Sequence, residues 1–217
     1  MDIEERDGGR LHLLQPIGER SVPQADTWYI DPVHSSVGFA AGMQGLARVR
    51  GRFNNLSGVV WVADKPEESS ASVTIDATAI DTGITRRDDH LKSPEFLDVG
   101  RFPVLSWHGH RVEPTVDDGL WTFHGDLTVR DVTLPVPLRG RFLGQCPYPF
   151  GDAELACFSA TATLDRFDFG LDVMGPLPGA KLFIGRRVEI NLEVAMINTD
   201  IRFFTERFLS PRRAQRR

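Results

Sequence analysis

The chain has 217 residues, of which 41% are hydrophobic and 25% are charged, and its formal net charge is −5. These values fit one globular domain with tails, or at most two small domains, with enough apolar residues for a buried core. The acidic balance argues against a nucleic-acid-binding protein, because such proteins normally present a basic surface. No apolar run approaches the roughly 18 residues that a membrane-spanning helix requires.

The amino terminus predicts a cytoplasmic protein, and this sets the expected state of the cysteines. The first ten residues, MDIEERDGGR, are acidic and polar, whereas a secretory signal needs a basic start and an apolar stretch. Cys146 and Cys157 could pair across a hairpin, but in a reducing cytoplasm we expect free thiols. Two isolated cysteines do not make a zinc site.

In chain order, a flexible lead-in comes first and a series of strands follows. Residues 1–25 are polar and contain Gly and Pro, which predicts the lead-in. From 28 to 197 apolar residues recur with period two, the pattern of strands with one buried face, and this predicts a single β-domain over 26–198. We predict strands near 28–43, 47–54, 57–64, 71–80, 103–112, 120–129, 133–143 and 154–165, and a ninth near 186–197. The ninth could pair with the first, which can bend and be shared between both ends of the sheet.

These strands predict an all-β, antiparallel closed barrel of about eight strands. No long helical period interrupts them, so parallel crossover units are not expected. A sandwich would also bury the apolar faces, but only a barrel removes the sheet edges. A barrel of this size is filled by side chains or holds one small ligand. A cavity is favoured by small inward-facing residues, namely Gly38, Ala41, Gly51, Ala77, Ala160 and Ala162.

Residues 86–103, RRDDHLKSPEFLDVGRFP, form the most highly charged stretch of the central region. Adjacent residues of an extended segment point to opposite sides, so Asp89 and His90 do not converge on one atom as an acid–base or metal pair would. Ser93 can instead cap a helix with Pro94 in its first turn. We therefore predict a short helical lid near 88–98. Its apolar residues, Leu91, Phe96 and Leu97, together with Phe102, would face the barrel mouth.

Three histidines are candidate site residues. His108 and His110 share one face of a strand and could share a metal ion, but that face is predicted to be exposed. His34 follows the turn-forming pair Asp31-Pro32, where it could bond the backbone at the barrel rim or contact a ligand headgroup. The sequence contains no Gly-x-Ser-x-Gly elbow, Gly-x-Gly-x-x-Gly or Walker motif.

Residues 199–217 end the chain with a short apolar segment and a basic tail. Ile201, Phe204 and Phe208 have helical spacing, and the last seven residues, PRRAQRR, contain four arginines and no acid. This predicts a short helix docked on the barrel or lying on an anionic membrane surface, with peripheral membrane contact through the arginines. The sequence leaves a homodimer open.

Six blocks of the sequence carry a family resemblance. They are WYIDPVHSSVGFAA, VRGRFNNLSG, ATAIDTGITRRDDHLKSPEFLDVGRFP, GDLTVRDVTLPVPL, FSATATLDRFDFGL and IGRRVEINLEVAM. In this order they resemble the YceI-like family of lipid- and polyisoprenoid-binding proteins over about residues 27–197. The resemblance implies a lipocalin-like barrel with a hydrophobic tunnel for an isoprenoid quinone, a polyprenol or a fatty-acid derivative. The chain departs from many members at Met43, where they carry a histidine, and in lacking an export signal.

We therefore predict a protein that binds a long apolar lipid for sequestration or transport. The lipid would be a polyisoprenoid, an isoprenoid quinone or a fatty-acid derivative. We expect no enzymatic activity, no metal and no cofactor. Burial contributes about 0.8 kcal/mol per methylene, so a tunnel needs no catalytic residue to bind such a chain. The predicted wall residues are Val37, Phe39, Val49, Phe53, Val73, Ile75, Leu91, Phe96, Trp121, Phe123, Leu138, Phe142, Phe158, Ile190 and Leu192, with His34 as a headgroup contact.

Two alternatives stay open from the sequence. One is an enzyme that acts on a small hydrophobic substrate in the same barrel, where His34 and an acid such as Asp31 or Asp89 transfer protons. The other is a scaffold whose barrel is filled by its own side chains.

Overall fold

The computed structural model describes residues 15–17, 20–116, 119–149, 152–172 and 184–200, and within these ranges the chain is almost entirely β-structure. The strands are β1 Gln15–Ile17, β2 Arg20–Val22, β3 Asp26–Ile30, β4 Ser36–Met43, β5 Ala47–Phe53, β6 Leu56–Val62, β7 Ser70–Asp76, β8 Ile80–Asp81, β9 Val104–Pro114, β10 Trp121–Val129, β11 Val132–Pro135, β12 Leu138–Pro147, β13 Glu154–Asp165 and β14 Ile184–Ile197. The helices are α1 Thr85–Lys92 and two 3-10 turns, Pro66–Glu68 and Ala77–Ala79.

Eight of the strands form a closed ring, which confirms the predicted barrel over the sandwich. Going round the ring the order is β3, β6, β7, β9, β10, β12, β13 and β14, and β14 returns to β3. Every neighbouring pair is antiparallel. The apolar faces of the strands therefore point into one interior, where the main core cluster lies.

The predicted first strand, 28–43, is bent and divided, and it pairs with the last strand as expected. β14 pairs with β3 at one end and with β4 over most of its length. The loop between β3 and β4 is fixed by Asp31, whose carboxylate accepts a hydrogen bond from the Val33 amide at 2.8 Å. The Asp31 amide in turn donates to the Ala195 carbonyl at 2.9 Å. From β4 the sheet continues outside the ring through β5 to β8.

Two other predicted strands are interrupted by local chemistry that outweighs the period-two pattern. The strand predicted at 71–80 ends at Asp76, whose side chain caps the 3-10 turn by accepting from the Thr78 amide at 2.9 Å. The strand predicted at 133–143 is split into β11 and β12. Pro137 lies at the break, and a proline has no amide hydrogen to donate to a sheet.

The lid is present, but its helix begins earlier than predicted. α1 covers Thr85–Lys92, and Ser93 is its C-terminal cap, not the N-terminal cap that the sequence suggested. The Ser93 hydroxyl and amide both donate to the His90 carbonyl. Pro94 disfavours helical geometry at the residue before it, so it ends the helix instead of starting one. Tight turns then lead through Asp98, which has a positive φ of 48°, to β9.

The ends of the chain are described only in part. Within the predicted lead-in, β1 and β2 form an antiparallel pair, and Pro23 is buried. Residues 201–217, with the predicted helix and arginine tail, lie outside the described residues. In the described part of the chain no helix has the length and apolar character needed to cross a membrane.

Candidate functional site

The interior of the ring encloses a cavity of about 310 Å³. This volume lies at the lower end of the range of about 300–1,000 Å³ that is typical of ligand pockets. Its wall is built from the inward-facing residues of the barrel strands, together with the lid and residues 166–171. The β14 face shows the pattern most clearly, because every second residue borders the cavity: Val188, Ile190, Leu192, Val194 and Met196.

The structure places nearly all of the predicted wall residues around this cavity. Those that border it are Val37, Phe39, Phe53, Val73, Ile75, Leu91, Phe96, Trp121, Phe123, Leu138, Phe158, Ile190 and Leu192. Val49 does not border it and lies half-buried opposite Ala41 in the β4–β5 hairpin. Phe142 does not border it either, because it packs on the Phe158 ring at 5.0 Å in a second core cluster, next to a bulge in β12.

Two large aromatic side chains lie flat against the wall because glycines face them. The Phe39 ring covers Gly51, where an added Cβ would lie 2.3 Å from a ring atom. The Trp107 indole covers Gly125, where an added Cβ would lie 2.4 Å from the ring, and it covers Gly109 in the same way. The indole nitrogen donates to the Val136 carbonyl at 3.0 Å, which fixes its orientation. These glycines therefore keep bulky rings against the sheet.

The cavity wall is almost wholly apolar. Its few polar or charged members are Ser69, Ser70, Arg111 and Arg166. Among the described residues that line it there is no carboxylate, histidine or cysteine. β9 and β13 run in opposite directions, because β10 and β12 lie between them and each neighbouring pair is antiparallel. Arg111 lies near the end of β9 and Arg166 follows the end of β13. These two arginines therefore lie at opposite ends of the barrel. We call the end that contains Arg166 and the lid the lid end, and the other the far end.

Arg166 is a buried charged residue at the lid end, only 3% exposed. Its guanidinium donates to the backbone carbonyls of residues 171, 184 and 185. It also stands 5.9 Å from the centre of the Phe96 ring and 4.7 Å from that of Phe167. Burial lowers the pKa of Arg166, while the charges of Asp165 and Asp172 raise it. An arginine keeps its charge at neutral pH, so Arg166 places one positive charge in the cavity wall at this end.

His34, the predicted headgroup contact, lies outside the cavity wall. Its Nδ1 is 2.6 Å from the Asp31 carboxylate, and its side chain is 63% exposed whereas that of Asp31 is 2% exposed. The sequence suggested a bond to the backbone at the rim, whereas the partner of His34 is the Asp31 side chain. Asp89, the other candidate for proton transfer, is exposed on α1 and also does not line the cavity.

The remaining candidate groups do not assemble into a reactive site in the described part of the chain. His108 and His110 are exposed, and His110 Nε2 lies 3.9 Å from the Asp126 carboxylate. No group of three potential metal ligands occurs among the described residues. Cys146 and Cys157 are free thiols on adjacent strands, and burial raises the pKa of Cys157.

Sequence reasoning missed two parts of the wall. Arg166, Phe169 and Leu171 come from the turn after β13, and Val22 and Pro23 come from the predicted lead-in. The apolar character of FDFGL was a usable signal for the first group. No local pattern signals the second, since these residues reach the cavity only through contacts such as the hydrogen bond from the Gln24 amide to Gln145 at 3.1 Å.

Comparison with known proteins gives close sequence relatives of this chain. The YceI-like domain family matches residues 28–196. A UPF0312 protein of Vibrio parahaemolyticus is 33% identical over 173 residues, which cover 77% of this chain and 87% of that protein. A UPF0312 protein of Pseudomonas paraeruginosa is 34% identical over 145 residues, which cover 66% of this chain and 74% of that protein.

Solved structures share the fold at lower identity. BcnA of Burkholderia cenocepacia superimposes with a TM-score of 0.63 at 18% identity, covering 76% of this chain and 98% of BcnA. A polyisoprenoid binding domain from Saccharophagus degradans, implicated in plant cell wall breakdown, superimposes with a TM-score of 0.59 at 13% identity, covering 79% of this chain and 98% of that domain. The matched family spans the whole barrel from β3 to β14, and the chain therefore belongs to the YceI-like family.

Proposed function

We propose that this protein binds one long apolar lipid inside the barrel, for sequestration or transport, and carries out no reaction on it. The observation that carries the proposal is the cavity of about 310 Å³ whose wall is apolar except for two serines and two arginines. Each methylene moved from water into such a wall contributes about 0.8 kcal/mol. The related fold of a polyisoprenoid binding domain supports an isoprenoid chain as one ligand class, beside quinones and fatty-acid derivatives.

The placement of the titratable groups supports binding over catalysis. A catalytic acid or base must reach the reacting atoms, at about 2.6–3.2 Å or through one water. His34 and Asp31 form a close pair, but neither lines the cavity. The scaffold alternative requires an interior filled by side chains, whereas this interior contains an open volume.

Native mass spectrometry of the full chain, purified gently, tests the proposal. We expect an added mass of several hundred daltons that organic solvent extracts. The extracted protein should then rebind a long-chain methyl ester or a prenol, with a change in the fluorescence of Trp107 and Trp121, which line the cavity. A protein that shows no added mass and then binds no long-chain probe would be the scaffold. Turnover of a bound probe that His34→Gln abolishes would favour the enzyme.

Three further features belong to this proposal. Residues 201–217 would provide peripheral contact with anionic membranes, which vesicle sedimentation with and without these residues tests. A homodimer is tested by light scattering. We also propose a cytoplasmic location, which fractionation of cells that express the full-length protein tests.

A further inference from the structure

Three residues contact Phe96 at the lid end, namely His90, Arg130 and Arg166, and we call the four residues the Phe96 cluster. Phe96 lines the cavity, and the His90 ring lies 5.6 Å from it. Arg130 donates from Nη1 to the Phe96 carbonyl at 3.3 Å. The Arg166 guanidinium stands 5.9 Å from the same ring and itself borders the cavity. Two guanidinium groups and one imidazole therefore surround one residue of the cavity wall.

Two nitrogen atoms of this cluster are buried without a hydrogen bond to the described residues. They are Nε of Arg130 and Nε2 of His90. The arginine Nε always carries a hydrogen, so it requires an acceptor. Leaving a buried donor unsatisfied is costly, and such a group in a native structure calls for an explanation.

The carboxylates of this region are mostly engaged elsewhere. Asp165 forms an ion pair with Arg186 at 2.7 Å, and hydrogen bonds from the Phe167 amide and that guanidinium lower its pKa. Asp98 pairs with Arg101 at 3.5 Å. Glu95, whose side chain is 71% exposed, stays 4.0 Å from the His90 ring. An acceptor supplied by a ligand would add to these pairs without displacing them.

Resting on the proposed function, we propose that the Phe96 cluster binds the anionic headgroup, a carboxylate or phosphate, of an amphiphilic lipid. The headgroup lies at the lid end, and the apolar chain runs along β13 and β14 toward Phe158 and Met196 at the far end. Arginine suits both anions, because its planar fork donates two parallel hydrogen bonds to them. An anion site of this kind selects fatty acids and prenyl phosphates over uncharged quinones. Arg111 at the far end is a weaker candidate, since its side chain is 61% exposed and paired with Glu113.

The test compares an acid with its neutral ester on the full chain. Dibrominated octadecanoic acid and its methyl ester have the same chain, and both quench the tryptophans of the cavity wall. We expect the wild type to bind the ionised acid about tenfold or more tightly than the ester, the effect of a charged hydrogen bond. Arg130→Met should remove most of this preference and leave ester binding intact, whereas Arg130→Lys should retain much of it.

Arg101→Met is the matched control. Arg101 also carries its guanidinium over the Phe102 ring, at 5.0 Å against 6.0 Å for Arg130, but it is 72% exposed and outside the cluster. This control should keep the full preference for the acid. Circular dichroism checks that each variant is folded. Inorganic phosphate, used as a competitor, should not displace the acid.

Several outcomes would overturn the proposal. Equal binding of acid and ester by the wild type would do so, as would a preference that survives Arg130→Met but is lost in Arg111→Met. If inorganic phosphate displaces the acid, the Phe96 cluster is a small-anion site and the apolar chain of the lipid has no role in binding. These results differ from failure of the proposed function, in which neither the acid nor the ester binds.

Discussion

A phenylalanine in place of Ala160 should divide the apolar cavity inside the barrel, which we call the bore, and shorten the longest ligand chain that fits. Ala160 lines the cavity and pairs with Leu192, which lies midway along the wall face of β14. From Val188 to Met196 this face spans eight residue steps, or about 27 Å at about 3.4 Å per residue. With a strand tilt of about 40° the bore is about 21 Å long, and the block leaves about half of it on each side.

The measurement is the dissociation constant for a series of straight-chain methyl esters of increasing length, by calorimetry or by the change in tryptophan fluorescence. Burial of about 0.8 kcal/mol per methylene predicts that the wild-type Kd falls about fourfold with each added methylene until the bore is full. In Ala160→Phe we expect the decrease to stop at about half the chain length. Because the ring enters open space, unfolding free energy should fall by less than the roughly 1–3 kcal/mol of an overpacked core.

Thr163→Phe is the control, since Thr163 is an exposed residue of the same strand. It adds a similar side chain outside the barrel and should leave the whole chain-length series unchanged. If Ala160→Phe and the wild type level off at the same chain length, the ligand does not occupy the bore. An affinity that does not depend on chain length would refute the reasoning as well.

Three further substitutions have defined outcomes. Gly125→Ala should displace the Trp107 indole and lower the free energy of unfolding in urea by about 1–3 kcal/mol, whereas Gly42→Ala, with open space at its Cβ, should not. Asp76→Ala removes the cap of a 3-10 turn and should cost about 1 kcal/mol at pH 7. Hydrogen bonds, chiefly from the Thr78 side chain, lower the pKa of Asp76 from 3.8 in the folded protein. The stability that the Asp76 carboxylate contributes is therefore present above pH 3.8 and is lost as the pH falls through the lower pKa of the folded state. The unfolding free energies of the variant and the wild type should converge in acid denaturation. His34→Gln should leave lipid affinity unchanged in the quenching assay, because the side chain lies outside the wall; a tenfold loss would make it a headgroup contact after all.

The strands and most of the wall could be predicted from the sequence because a strand presents alternate residues to one face. Val188 to Met196 on β14 illustrate this, since their spacing alone places them together. The breaks at Asp76 and Pro137 depend on side-chain capping and a missing amide, which act on single residues within an otherwise regular pattern. The start of the lid helix was misplaced because Ser93-Pro94 suits either end of a helix.

The polar part of the site was not predictable, because it depends on contacts distant in sequence. Arg166 reads as a surface residue within LDRFDFG, yet carbonyls 18 and 19 residues later hold it in the interior. The pairing of the Trp107 indole with Gly125 requires the register between β9 and β10, including its bulge. Periodicity predicts which face a residue occupies, but not which side chain of the opposite strand it meets.

An open apolar bore has a thermodynamic consequence for the empty protein. In large-to-small core substitutions stability falls by about 24 cal/mol per Å³ of cavity, so about 310 Å³ corresponds to about 7 kcal/mol. That is comparable with the whole stability of a typical domain, about 5–15 kcal/mol. The stripped protein should therefore unfold at a distinctly lower temperature than the protein with its co-purified lipid, and a long-chain probe should restore the difference as its concentration exceeds Kd. Scanning calorimetry before and after solvent extraction measures this, and identical transitions with and without a bound chain would show that the ligand does not fill the bore.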